Sequence, residues 1–311
     1  MRLHACLSLM ILACLPGLAT ANDNAQIVSV DPVARIVTGS DAPVMRISFP
    51  AKGRALPIVI LSHGNRLSRG DYQPLVAALV RSGHVVIQPD HPDASQEGFA
   101  PSAPQPEDAW RTRVEQIRWV AAHVRRIADA TPGLRGRIDP RRIALVGHSF
   151  GGHSVALAMG ASVTGQPNLP PIEGISAAVL LAPPGGYEGL TPEWKARAPY
   201  LRTDWRAMRG PMLIINGEKD AAALSDKGPG WHNDSFTQAT AGQDICLMVV
   251  KDAGHYLGGI DSVLRPPAGD ATPEKREMVL DAIVTFLGDR LDSRADARTR
   301  WASERAGLAC K

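Results

Sequence analysis

At 311 residues, with 34 basic and 31 acidic side chains, the chain is long enough to bury a large core, and its formal charge of only +3 marks no polyanion as a partner. No basic run is interleaved with aromatics, which make up 5% of the residues, so a nucleic-acid surface is not expected. No linker rich in Pro, Gly and Ser separates two differently patterned halves, so residues 22–311 read as one domain.

The chain opens with Arg2 and an apolar run from Leu7 to Leu15 that is too short to span a bilayer. Ala19-Thr20-Ala21 follows as a small-x-small cleavage site. This is the pattern of a secretory signal peptide over residues 1–21, and it predicts export to a periplasmic or extracellular space without stable membrane insertion. Ile11-Leu12-Ala13-Cys14 is also a loose match to a lipoprotein acylation box, with lipidation at Cys14 the alternative. Cleavage would remove Cys6 and Cys14. Cys246 and Cys310 would remain, either paired as a disulfide or, since Cys246 lies in an apolar strand, as unpaired thiols.

Ile27 to Val37 and Val44 to Phe49 alternate as half-exposed strands do. Leu56 to Ser62 is a continuous apolar run of the kind buried on both faces, ending at His63-Gly64-Asn65. Helical spacing of Tyr72, Leu75, Val76, Leu79 and Val80 stops at Gly83, and His84 to Gln88 reads as a strand. Residues 94–106 read as a surface loop. Trp110, Val114, Ile117, Val120, Val124 and Ile127 then form the stripe of a long helix. Strands are expected at Ile143 to Val146, Ile175 to Leu181, Pro211 to Asn216 and Ile245 to Val250. A closing helix carries Val279, Ile283 and Phe286, and a polar tail covers 292–311. Alternating strands and helices argue an α/β fold with a mostly parallel central sheet of about eight strands and helices on both faces.

The stretch with the sharpest chemical meaning is Ile143 to Gly152. A buried strand runs into Gly147-His148-Ser149-Phe150-Gly151, and a small-residue helix follows. Gly-x-Ser-x-Gly in that context is a nucleophile elbow, which thrusts the Ser149 hydroxyl out of a bend too tight for bulky neighbours. A serine needs a base to take its proton and an acid to hold that base. His255, after the strand ending at Val250, and Asp220, after the strand ending at Asn216, supply both, in the order Ser, Asp, His. Glu218, Asp226 and Asp234 are the substitute acids. His63 and His91 lie at other strand ends, and His148 is expected to point away from the serine. The oxyanion donors are expected to be the backbone amides of Phe150 and Asn65. The histidines show no metal-ligand spacing, so no metal and no cofactor is expected. The aromatic segments from Pro183 to Gly210 and from Gly230 to Phe236 either roof the pocket or pack as loops.

Together Leu61 to Asn65, Val86 to His91, Gly147 to Gly152, Asp220 and Ala253-Gly254-His255 resemble an α/β-hydrolase. More narrowly they resemble the bacterial serine esterases related to platelet-activating-factor acetylhydrolases and dienelactone hydrolases. That likeness implies a carboxylic ester hydrolase with Ser149, Asp220 and His255 as triad, Asn65 and Phe150 as oxyanion donors, and a small-molecule or polymer ester as partner. Dienelactone hydrolases usually carry cysteine at the nucleophile position, where this chain has Ser149, which argues against dienelactone itself. An amide or peptide hydrolase of the same fold, or an inactive binding module, are the alternatives.

Overall fold

The computed structural model describes residues 26–31, 42–95, 108–261, 272–292 and 295–311. The leader at 1–21 with Cys6 and Cys14, the end of the strand expected to reach Val37, and most of the loop at 94–106 lie outside the described residues. In chain order the elements are β1 (Ile27–Val30), β2 (Met45–Pro50), β3 (Leu56–Ser62), α1 (Gln73–Arg81), β4 (Val85–Pro89), α2 (Ala109–Ala130), β5 (Ile138–His148) and α3 (Phe150–Ala158). There follow β6 (Ser162–Val163), β7 (Ile175–Leu181), α4 (Pro192–Arg197), β8 (Thr203–Asp204), β9 (Met212–Gly217), α5 (Asp234–Thr237), β10 (Ile245–Val250), α6 (Pro273–Leu287), α7 (Ala295–Arg305) and β11 (Ala309–Cys310).

Nine strands form one sheet in the order β1-β2-β4-β3-β5-β7-β9-β10-β11. The run from β4 to β10 is parallel, and antiparallel strands β1, β2 and β11 finish the two edges. All seven residues of β3 are buried, as a strand covered on both faces requires. The period-2 pleat sends Ile58 and Ile60 to one core and Val59 and Leu61 to the other. The apolar stripe of α2 and the small-residue helix α3 cover the first face; α1 and α6 cover the second. Among the described residues no helix is long and apolar enough to cross a membrane.

The C-terminal segment departs from the expected polar tail. Residues 295–305 form α7, which buries Trp301 edge-on against Phe286 of α6 at 4.9 Å between ring centroids. Trp301 and the small Ala297 are the buried residues of a helix that is otherwise mostly polar. The chain then returns as β11, paired antiparallel with β10, and Cys246 is bonded to Cys310.

This disulfide closes a loop spanning 64 residues, so its removal frees a large unfolded ensemble. Cys310→Ser is expected to lower unfolding free energy by about 4 kcal/mol on the chain-entropy scale. Denaturant melts of the oxidised and substituted proteins would check this, and identical midpoints would refute it.

Candidate active site

The parallel strands β3, β5, β7, β9 and β10 all end at one edge of the sheet, where the loops of such folds place their ligands. A cleft of about 370 Å³ lies there. Gly64, Asn65, Leu67, His148, Ser149, Pro184, Asp220 to Leu224, His232, His255 and Tyr256 line it.

Ser149 occupies the bend between β5 and α3 at φ 54°, ψ −119°, a region a residue with a Cβ enters only under constraint. The constraint is visible in its neighbours. A Cβ on Gly147 would stand 2.2 Å from the Gly151 carbonyl oxygen, and one on Gly151 would stand 2.1 Å from that of Ser62. Glycine at both positions therefore follows from contact between main chains. The Ser149 amide donates to Leu181 O at 2.8 Å and ties the bend to β7.

Asp220 and His255 lie 35 residues apart and meet because the loops after β9 and β10 are laced together. Gly217 lets them approach, for a Cβ there would fall 2.3 Å from Ala253 O. The Lys219 amide donates to Ala253 O, the Asp252 amide donates to Glu218 Oε2, and Lys219 pairs with Asp252. His255 Nδ1 then lies 2.8 Å from Asp220 Oδ2. Asp220 is buried, whereas a third of the His255 side chain is exposed to the cleft. Burial works to raise the Asp220 carboxyl, but His232 and His255 outweigh it and hold the group well below the usual carboxylate range. Glu218, bonded to the Asp252 amide, and Asp234, which accepts from the Gly186 amide, are engaged elsewhere.

His232 lies in the Gly230 to Phe236 segment, but nothing in the sequence placed it beside Asp220. It is buried, with Nδ1 donating to Pro183 O at 2.7 Å and Nε2 3.3 Å from Asp220 Oδ1, so each carboxylate oxygen faces one imidazole. The only hint in the sequence was its place beside Trp231, which packs into the backbone left open by Gly185 and Gly189. Trp231 and Trp205 are buried, so these aromatic segments pack as loops; among described residues they contribute Pro184 and His232 to the cleft lining.

Asp220, His232 and His255 are also the one group among the described residues whose ligand atoms cluster tightly enough, within 4.8 Å, to suggest a metal. One carboxylate and two imidazoles would suit a zinc-like ion. Yet His255 Nδ1 and Asp220 Oδ2 stand closer than the roughly 3.3 Å edge of a tetrahedral zinc site, at the distance of a shared proton. The donor set therefore fits a hydrogen-bonded pair better than an ion.

Behind the loop after β3 lies a buried polar network. Arg113, a charged residue inside the apolar stripe of α2, makes two bonds to Asp93, at 2.8 and 2.6 Å, and donates to His63 O and Gly64 O. Its guanidinium lies over the Phe150 ring at 4.4 Å. Burial first and Arg113 second lower the pKa of His63 to about 3. That ring accepts from the His91 amide and donates to Gly64 O, so it is structural. His91 is equally occupied, between Ser62 Oγ and Gln116 Oε1. His148, expected to point away from the serine, lines the same cleft, and its ring centroid lies 4.8 Å from that of His255.

A parallel sheet flanked by helices, an elbow serine and a carboxylate-held histidine at one cleft agree with what a comparison of the sequence with known families finds. The family model described as the alpha/beta hydrolase family matches residues 58–307, and the chain belongs to that family, whose members are generally hydrolytic.

Proposed function

We propose that the protein is an exported serine hydrolase that cleaves carboxylic esters through an acyl-enzyme on Ser149. The observation that carries this reading is the joint presence, in one cleft, of the strained Ser149 and of a His255 imidazole bonded to a buried carboxylate. Asp220 holds Nδ1–H, so Nε2 is the basic nitrogen and takes the serine proton as Oγ attacks the ester carbonyl. The carbonyl oxygen becomes an oxyanion between the amides of Asn65 and Phe150, the latter at the positive end of α3. Gly64 is not counted as a donor, because its amide is bonded to Tyr72. His255 then protonates the leaving alcohol, and water, activated by the same imidazole, releases the acyl group.

The alanines at 221–223 and the side chains of Leu67 and Leu224 give the cleft a modest apolar wall, suited to short acyl groups. The narrower likeness to serine esterases of the platelet-activating-factor acetylhydrolase and dienelactone hydrolase group supports the ester over the amide. The leader at 1–21 and a disulfide between the two remaining cysteines support an oxidising, periplasmic or extracellular location, with residues 22–311 as one mature domain.

The mature protein is expected to form a covalent adduct at Ser149 with a fluorophosphonate, read by mass spectrometry. It is also expected to hydrolyse p-nitrophenyl acetate far faster than the matched anilide. Ser149→Ala should lose turnover by about 10⁴-fold or more and take no label. Full labelling of that variant would refute the mechanism, and preference for the anilide would turn the reading to an amidase.

A further inference from the structure

Three buried groups that the chemistry above does not use connect its two halves. The Gly64 amide donates to the Tyr72 hydroxyl oxygen at 2.9 Å, that hydroxyl lies 2.9 Å from His148 Nδ1, and His148 Nε2 lies 2.9 Å from the His255 carbonyl oxygen. A carbonyl only accepts, so Nε2 carries the hydrogen and Nδ1 is left as acceptor. The Tyr72 hydrogen then points at Nδ1, and its oxygen lone pair is free to take the Gly64 N–H. Every donor in the chain has one acceptor, with no second arrangement that satisfies the same atoms.

The surroundings keep it so. Tyr72 and His148 are buried, and burial, with His255 beside it, lowers the His148 pKa to about 3, so the ring stays neutral. A Cβ on Gly64 would lie 3.1 Å from the Tyr72 hydroxyl and 3.2 Å from His148 Nδ1, wedged into the chain. Tyr72 itself sits at φ 70° before α1, an unusual backbone for an aromatic residue, with its amide bonded to Asp261 O. The chain links the loop after β3 to the loop after β10, across the end of β5.

We propose that Tyr72 and His148 are positioning residues, a hydrogen-bonded strut that holds the oxyanion loop and the backbone of the general base at one separation during ester attack. This rests on the esterase reading. An error of about 1 Å between base and oxyanion donors costs up to about a hundredfold in rate.

The test uses the geometry of amide side chains. Glutamine places a donor where His148 Nε2 stands and reaches the His255 carbonyl but leaves the Tyr72 hydroxyl without its acceptor; asparagine replaces only the Nδ1 position and leaves the carbonyl without its donor. With p-nitrophenyl acetate, His148→Asn, which cuts the link to His255, and His148→Gln, which cuts the link to Tyr72, are each expected to lose about tenfold to a hundredfold in kcat with KM within about threefold of the parent. Tyr72→Phe, which keeps the ring and removes the hydroxyl, is expected to lose kcat as His148→Asn does, and it carries the test alone if the asparagine variant does not fold. Circular dichroism melts establish that each assayed variant is folded. An unchanged kcat in any of the three folded variants, or a loss carried by KM, would overturn the proposal. Failure of the underlying reading looks different, since either the parent would then leave the ester uncleaved or Ser149→Ala would still turn it over.

Discussion

Lowering the pH from 7 to 5 is expected to lower the melting temperature by more than about 10 °C, a large effect for a protein of balanced charge. The cause is a set of histidines that the fold keeps neutral. Burial is the largest influence on each, and it lowers His63, His148 and His153 to about 3 and His91 well below its ordinary value of 6.5. The unfolded chain takes these protons near pH 6.5, and the folded chain refuses them until about pH 3. Stability from these groups is therefore complete above pH 6.5 and is lost as the pH falls toward 3. At pH 5 His63, His148 and His153 each contribute a loss of about 2 kcal/mol, together about 6 kcal/mol, against a typical total of roughly 5–15 kcal/mol. Asp93 and Asp220, both held below the ordinary carboxylate value, add to the loss only below about pH 4. Thermal melts at half-unit pH steps would measure it; a flat melting temperature between pH 7 and pH 5 would show that these rings are not neutral in the fold.

Asp93→Ala is expected to cost about 3–5 kcal/mol of unfolding free energy, among the largest single losses available in this chain. Both side chains of the Arg113–Asp93 pair are fully buried, and deleting the carboxylate leaves a guanidinium with no counter-charge in a site closed to water. The pair is bidentate, and the remaining donors of Arg113 hold the carbonyls of His63 and Gly64. The damage should thus extend to turnover, because the same guanidinium touches the oxyanion loop and, through its ring contact, Phe150. A double substitution, Asp93→Leu with Arg113→Leu, separates the two roles. Removing both charges should recover part of the stability lost by Asp93→Ala, since apolar replacement of a buried pair is often near neutral. Turnover should stay low, since the two carbonyls have lost their donor. Urea unfolding with a p-nitrophenyl acetate assay reads both; a single variant within about 1 kcal/mol of the parent would remove the case for a buried ion pair.

Much of this architecture was legible before any coordinates. Leu56 to Ser62 and Ile175 to Leu181 announce buried strands because a strand covered on both faces must be apolar throughout, and β3 and β7 occupy those residues. The stripe from Trp110 to Ile127 announces α2 because a 3.6-residue period puts those side chains on one face. Gly147 and Gly151 announce the elbow because no other residue clears the carbonyls they face. The docking of the tail is not legible in this way: α7 buries only Ala297 and Trp301 among polar neighbours, and local pattern does not say that such a ring will be covered by a distant helix.

The sequence by itself determined the strand and helix pattern, the elbow at Ser149 and the residue types around it, because each is a local demand of backbone sterics or of burial. Only the tertiary structure decided which polar groups meet. That His232 faces Asp220, that His148 holds the carbonyl of His255, 107 residues away, and that Arg113 turns inward to Asp93 depend on which strand ends lie side by side. Buried polar atoms must find partners, but the need for a partner leaves no periodicity in the chain and names no address.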